Sequence, residues 1–174
     1  MRQINNIALM GMAAVGKSHI GKKIAAISNY EYMETDKLIA EQANQEGKRY
    51  QDLSDDDFLR IEKDVFMKLG DLSGKVIDTG ASVIYDQDVM RKIAEFAHVV
   101  YIEDRIDVIK GRFDARGLVP LMRIEGKTFE QLFIERQPLY EKYAQSTVTR
   151  NSLRNNDARL VAEQILELVR DDES

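Results

Sequence analysis

The chain contains no cysteine, and only two of its 174 residues are proline. Without cysteine, disulfide scaffolds, thiolate zinc sites and cysteine nucleophiles are excluded. This is compatible with a reducing compartment. The prolines lie at positions 120 and 138, so no proline-rich linker divides the chain. Basic residues are outnumbered 25 to 30, which leaves a formal net charge of −5. The basic footprint expected of a nucleic-acid surface is therefore lacking. No apolar stretch approaches the roughly 20 residues of a membrane span. The first apolar run, Ile7-Ala8-Leu9-Met10, is too short for the core of a signal peptide, and a glycine follows it at once. No repeat and no low-complexity segment is visible. The expectation is a cytoplasmic monomer that binds neither nucleic acid nor membrane.

What is present is globular: 44% of residues are hydrophobic and 32% charged. Length and composition predict one domain over 1–174. Apolar runs alternate with helical patterns along the whole length. Strands are predicted over Ile4–Met10, Tyr32–Met33, Lys75–Thr79, Val99–Ile102 and Ser146–Thr149. Helices are predicted over Lys17–Ser28, Lys37–Asn44, Phe58–Leu69, Gln87–Ala97, Ile106–Phe113, Thr128–Tyr143 and from the Asp157 cap to Arg170. The acidic runs Asp55-Asp56-Asp57 and Asp171-Asp172-Glu173 read as solvated ends or turns. Strict alternation of this kind implies an α/β domain with a parallel sheet covered on both faces. Ligands in such domains sit at the carboxyl ends of the strands, so the residues that follow the strands carry the chemistry.

After the first strand comes Gly11-Met12-Ala13-Ala14-Val15-Gly16-Lys17-Ser18, the full G-x-x-x-x-G-K-[ST] phosphate-binding pattern. A chance match anywhere in a chain of this length has a probability on the order of one per cent. Its position between a buried strand and an amphipathic helix is the context its mechanism requires. The glycines let successive N–H groups turn inward, and these groups with the helix N-terminus hold phosphate oxygens. Lys17 supplies a point charge for the β- and γ-phosphates, and the Ser18 hydroxyl a ligand for Mg²⁺. The residues expected around the nucleotide are Gly11, Ala13, Ala14, Val15, Gly16, Lys17, Ser18 and His19.

Two further motifs close later strands, Glu34-Thr35-Asp36 and Val76-Ile77-Asp78-Thr79-Gly80-Ala81-Ser82, and a third, Glu135-Arg136-Gln137-Pro138-Leu139-Tyr140, lies within the helix predicted over Thr128–Tyr143. A carboxylate such as Asp36 beside a hydroxyl orients it and accepts its proton during transfer. The plain structural alternative for Asp36 is a helix N-cap. Two apolar residues followed by Asp78 resemble a Walker B strand end, whose carboxylate holds a magnesium-bound water.

With these motifs in place, the chain from Asn6 to about Leu168 resembles the shikimate kinase family, small members of the nucleoside-monophosphate-kinase-like group. The resemblance implies a three-layer α/β/α P-loop fold with a five-stranded parallel sheet. It also implies a helical substrate-binding segment at about 34–62 and a mobile lid at about 113–127. The implied cofactors are ATP and Mg²⁺, and the implied partner is a small-molecule alcohol. Carried over residue by residue, it places Asp36 at the acceptor hydroxyl and Glu34 near the metal; at Asp78, expected with Ser18 as a further metal-site residue from the motifs above, the family usually has a small residue. It places Arg112 against adenine and Arg136 at the substrate carboxylate, with Gly80 and Ala81 walling the pocket. The stretch 150–156 falls at the adenine-loop position.

The family's pattern is altered on the acceptor side. Its clamp arginine, in Phe-Arg-x-x-Glu, is Leu59 in Phe58-Leu59-Arg60-Ile61-Glu62. Arg60 lies one residue on, about 100° around a helix; it enters the substrate-binding set on the expectation that the helix is rotated or starts differently. The family's glycine run reads Gly80-Ala81-Ser82, and its lid arginine before Pro120 is Val119. Arg116, three residues earlier, is expected to replace it and to join Lys17 and Asp36 as a catalytic group. The first functional expectation is ATP-dependent phosphorylation of shikimate to shikimate 3-phosphate. The second is a sister kinase for another alcohol such as homoserine, whose ammonium would meet Asp36 or Glu62. The third, a nucleotide-binding regulator that no longer transfers phosphate, is opposed by the intact Lys17, Ser18, Asp36 and Arg136.

Overall fold

The computed structural model describes residues 5–70, 72–117, 121, 125–150 and 157–171. Its strands are β1 (Ile7–Met10), β2 (Glu31–Glu34), β3 (Lys75–Asp78), β4 (His98–Glu103) and β5 (Ser146–Thr149). Its helices are α1 (Lys17–Ile27), α2 (Thr35–Gln45), α3 (Asp55–Lys68), α4 (Gln87–Phe96), α5 (Ile106–Ala115), α6 (Phe129–Tyr143) and α7 (Ala158–Asp171). The strands form one parallel sheet in the order β2-β3-β1-β4-β5. None of the described helices is long and apolar enough to cross a membrane.

Central β1 is fully buried because helices cover both faces of the sheet, which is why it reads as an unbroken apolar run. Ile7 and Leu9 point into one core, with Ile20 and Ile24 of α1 and Val161 and Ile165 of α7. Ala8 and Met10 point into the other, with Phe66 of α3, Val89 and Ile93 of α4 and Tyr140 of α6. A third, smaller cluster joins α2 to α3 through Ile39, Ala43, Phe58, Ile61 and Val65, so this helical pair has a core of its own.

The register sets the site. Leu9 lies opposite Asp78, and Asp78 opposite Glu34, so β1, β2 and β3 end side by side. The three loops that leave them therefore share one edge of the sheet.

Three local differences from the sequence expectations have clear causes. β1 starts at Ile7 rather than Ile4, which lies outside the described residues. Buried Asn6 uses its side chain to tie neighbouring segments, donating to the carbonyls of Leu72 and Phe96 at 2.8 Å each and accepting from the Lys75 N–H at 2.9 Å. α3 starts at Asp55 rather than Phe58, so the run Asp55-Asp56-Asp57 is the solvated first turn of this helix. Ser54 caps it by accepting from the Asp57 N–H, and carboxylates are favourable at a helix N-terminus. Short 3₁₀ turns form at Tyr50–Asp52 and Val83–Tyr85, where no element was expected. At α6 the expected start is present: Thr128 and Gln131 form a reciprocal capping box.

Candidate active site

The loop between β1 and α1 turns back on itself through positive φ at Gly11 (148°), Ala14 (66°) and Gly16 (106°). A β-carbon on Gly11 would stand 2.5 Å from the Ile102 carbonyl, so the close pass against β4 admits only glycine. A β-carbon on Gly16 would collide with the Arg150 guanidinium. Arg150 is buried and donates to the Val15 carbonyl, bracing the loop from the end of β5. Lys17 opens α1 and folds over the loop, its Nζ donating to the Gly11 carbonyl at 2.9 Å and the Met12 carbonyl at 3.4 Å. Burial lowers the Lys17 pKa, and the carboxylates of Asp78 and Asp36 oppose that shift. These are the features a phosphate cradle needs: left-handed backbone turns, a helix N-terminus and a buried cation with carbonyl partners that phosphate oxygens would replace.

Beside the loop opens a cavity of about 330 Å³. Ala13, Ala14, Lys17, Ser18, Asp36, Asp78, Gly80, Ala81, Arg116 and Arg136 all line it. The loops that leave β1, β2 and β3 share this edge of the sheet, and α5 and α6 bring Arg116 and Arg136, more than 100 positions from Ala13, to the same cavity.

Asp36 sits in the first turn of α2, while the N-cap position belongs to Glu34, so capping is not its role. Its side chain is exposed to solvent, yet enough protein crowds the carboxylate for desolvation to raise its pKa. Lys17 pulls the other way. Asp78 at the end of β3 is buried and accepts from the Tyr32 hydroxyl at 2.9 Å through Oδ2. The Tyr32 ring lies where a β-carbon on Gly21 would be, 2.8 Å from the nearest ring atom, which accounts for a glycine inside α1. Glu34 pairs with Lys37 at 3.2 Å and does not line the cavity.

Arg136 projects from α6 and is completely buried. Glu62 of α3 is 3% exposed and reaches the edge of Gly80, and burial pushes its pKa up to about 8. Arg116 ends α5 at the cavity rim and adds positive potential at Lys17.

Arg60 corrects an expectation. It does not face the cavity; it is exposed and pairs with Glu46, with Asp64 at 3.3 Å and with Asp57 at 3.8 Å. The helix keeps Phe58 and Glu62 on the inner side, and the turn of about 100° to residue 60 points it outward. His19 is exposed and outside the cavity lining. Val15 is buried beneath the loop, so only its backbone is available there. Arg112 also lies off the lining, donating to buried Asp104 at 2.9 Å near Arg150. Val119, Pro120 and 151–156 fall outside the described residues.

The sequence motifs give no role to Tyr32, Tyr50 or Tyr85, and Arg150 enters only as the first residue of the stretch at the adenine-loop position. Tyr50 lines the cavity and packs edge-on against Phe58, with ring centroids 5.8 Å apart. Nothing in the local pattern marks these residues, because each acts on a group distant in sequence.

Fold and constellation together define a P-loop phosphotransferase acting on the hydroxyl of a small molecule. The sequence model of the shikimate kinase family matches residues 13–170, and the chain belongs to that family, whose members take the phosphoryl group from ATP. Shikimate kinase 1 of Salmonella newport (strain SL254) is 28% identical over 173 residues, covering 97% of this chain and 98% of that protein. Two solved structures share the fold. One is the shikimate kinase of Acinetobacter baumannii in complex with shikimate (TM-score 0.78, 23% identity, 97% of this chain and 94% of that one). The other is the shikimate kinase of Bacteroides thetaiotaomicron (TM-score 0.73, 20% identity, 95% and 98%).

Proposed function

We propose that the protein transfers the γ-phosphoryl group of ATP to shikimate, giving ADP and shikimate 3-phosphate. The observation that carries this is the single cavity shared by Lys17 and Ser18 on one side and Asp36, Gly80 and Arg136 on the other. In this reading the loop Gly11–Ser18 holds the phosphates, with Lys17 on the β- and γ-groups. Asp36 orients the acceptor hydroxyl and takes its proton; crowding already raises its affinity for protons, which suits that task. Arg136 grips the substrate carboxylate, and the Gly80 backbone lets the ring approach closely. Arg116, at the end of α5 on the cavity rim, stabilises charge on the transferring group.

Mg²⁺ fits the same site. Ser18 and Asp78 line the cavity beside Lys17, and Glu34 stands at the end of the neighbouring strand. Among the described residues no group of three or more acidic or histidine side chains forms a metal site. The ion would thus be held jointly by Ser18, a few carboxylates, the phosphates and water, as is usual for Mg²⁺ with nucleotides. When bound it neutralises charge on the phosphates. Arg112, beside Arg150, is the candidate for the adenine.

The outward path of Arg60, together with Leu59, supports a second reading in which the acceptor is another alcohol. Coupled ADP release across a panel of alcohols that includes shikimate and homoserine separates the two. Turnover of shikimate above all others supports the first. Turnover of another alcohol with shikimate inert overturns it.

A further inference from the structure

Arg136 is held by a hydrogen-bonded series that begins outside the cavity. Lys127, just before the capping residue of α6, pairs with Glu135. Glu135 accepts from the Tyr85 hydroxyl at 2.7 Å, and the Tyr85 oxygen in turn accepts from Arg136 Nε at 3.1 Å. The Arg136 guanidinium lies 5.3 Å from the Tyr85 ring centroid. The direction of the series is fixed by chemistry, because a guanidinium only donates and an ionised carboxylate only accepts. Lys127 and Tyr85 hold the Glu135 pKa below its usual range, so it stands as the carboxylate. Tyr85 closes the 3₁₀ turn that directly follows Gly80-Ala81-Ser82. One helical turn beyond Arg136, Tyr140 donates to the Ala81 carbonyl at 2.7 Å, pinning α6 to the same loop. The pocket wall and the arginine are thus built as one unit.

We propose that Tyr85 is a positioning residue for the acceptor's carboxylate, fixing the Nε edge of Arg136 so that the guanidinium is presented ready-oriented to the cavity. This rests on the shikimate reading above. Its consequence is greatest where Leu59 stands in place of a clamp arginine, because more of the carboxylate's recognition then falls on Arg136. A pre-oriented fork loses less freedom on binding than a mobile one.

The test uses the full chain with Tyr85→Phe, which keeps the ring and deletes the hydroxyl. Shikimate and its methyl ester, which lacks the negative charge, are compared by coupled ADP release. The KM for shikimate is expected to rise about tenfold, the scale of one hydrogen bond to a charged group. The kcat and the KM for ATP are expected to stay near wild type, and the KM for the ester to be the same in both proteins. An unchanged shikimate KM overturns the proposal, and so does an equal rise for the ester, which would mean a merely structural role. Glu135→Gln, which removes the charge at constant shape, is expected to raise the same KM to a smaller degree. If Tyr85→Phe does not fold, an unchanged KM in the glutamine variant overturns the proposal. A wild-type protein that does not phosphorylate shikimate removes the functional reading and this proposal together, whereas an active wild type with an indifferent Tyr85→Phe removes this proposal alone.

Discussion

The Ser82 hydroxyl lies 3.2 Å from each carboxylate oxygen of Glu62 and donates to them in a bifurcated hydrogen bond. A β-carbon on Gly80 would stand 2.7 Å from Glu62 Oε1 and 3.7 Å from Asp36 Oδ1, so two carboxyl groups border the same patch of backbone. Leu59, one turn earlier on α3, brings no charge to Glu62, while the Ser82 hydrogen bond and the Arg136 charge favour its ionised form. Burial dominates, and the Asp36 charge adds to it.

Stability should therefore depend on pH through Glu62. Its ordinary pKa is 4.5 and its folded value about 8. Below the lower value both states are protonated. Between the two the unfolded chain releases a proton that the native chain keeps, so stability falls as pH rises; above the upper value both are ionised and the slope ends. Glu62→Gln mimics the protonated form and removes this slope. The unfolding temperature of wild type relative to the variant should decline from about pH 5 to about pH 8. A constant difference across that range would contradict the burial argument.

Lys17→Ala should reduce kcat by roughly 10²- to 10³-fold or more, as expected for removing a group that stabilises transition-state charge. Asp36→Asn should lower kcat by about 10²- to 10⁴-fold while ATP still binds, the range for a lost general base. Calorimetry of ATP binding beside the kinetic assay separates the two halves of the site. Full activity in either variant would remove that residue from the mechanism.

Leu59 precedes Glu62 by one helical turn, so it lies on the same side of α3. Leu59→Arg should restore a cation there, and the KM for shikimate should drop by about tenfold. An unchanged KM would mean that the replaced clamp does not limit substrate binding.

Arg60→Ala should leave the KM for the acceptor unchanged, because the side chain is committed to Glu46, Asp57 and Asp64 on the outer surface. Exposed pairs of this kind contribute little to stability. A marked rise in that KM would show that Arg60 turns inward when substrate arrives.

What was legible in the chain was local. The phosphate loop is eight consecutive residues whose glycines, lysine and serine carry their own geometry, and the covered sheet announced itself through the all-apolar β1. The capping box at Thr128 and the cap at Asp157, whose carboxylate accepts from the Arg159 N–H at 2.8 Å, were likewise readable from neighbours. Arg60 was misplaced because the facing of α3 depends on packing against α2, through Phe58, Ile61 and Val65, which no single-strand motif reports.

The sequence by itself determined the order of strands and helices and the nucleotide loop, since these follow from short-range spacing and backbone chemistry; Asp36 and Arg136 became candidate groups through the family resemblance. Only the tertiary structure decided which side chains meet. Tyr32 reaches Asp78 across 46 positions and Arg136 rests on Tyr85 across 51. Such contacts arise from strand register and helix docking, where burying apolar faces fixes the geometry and polar partners are found afterwards.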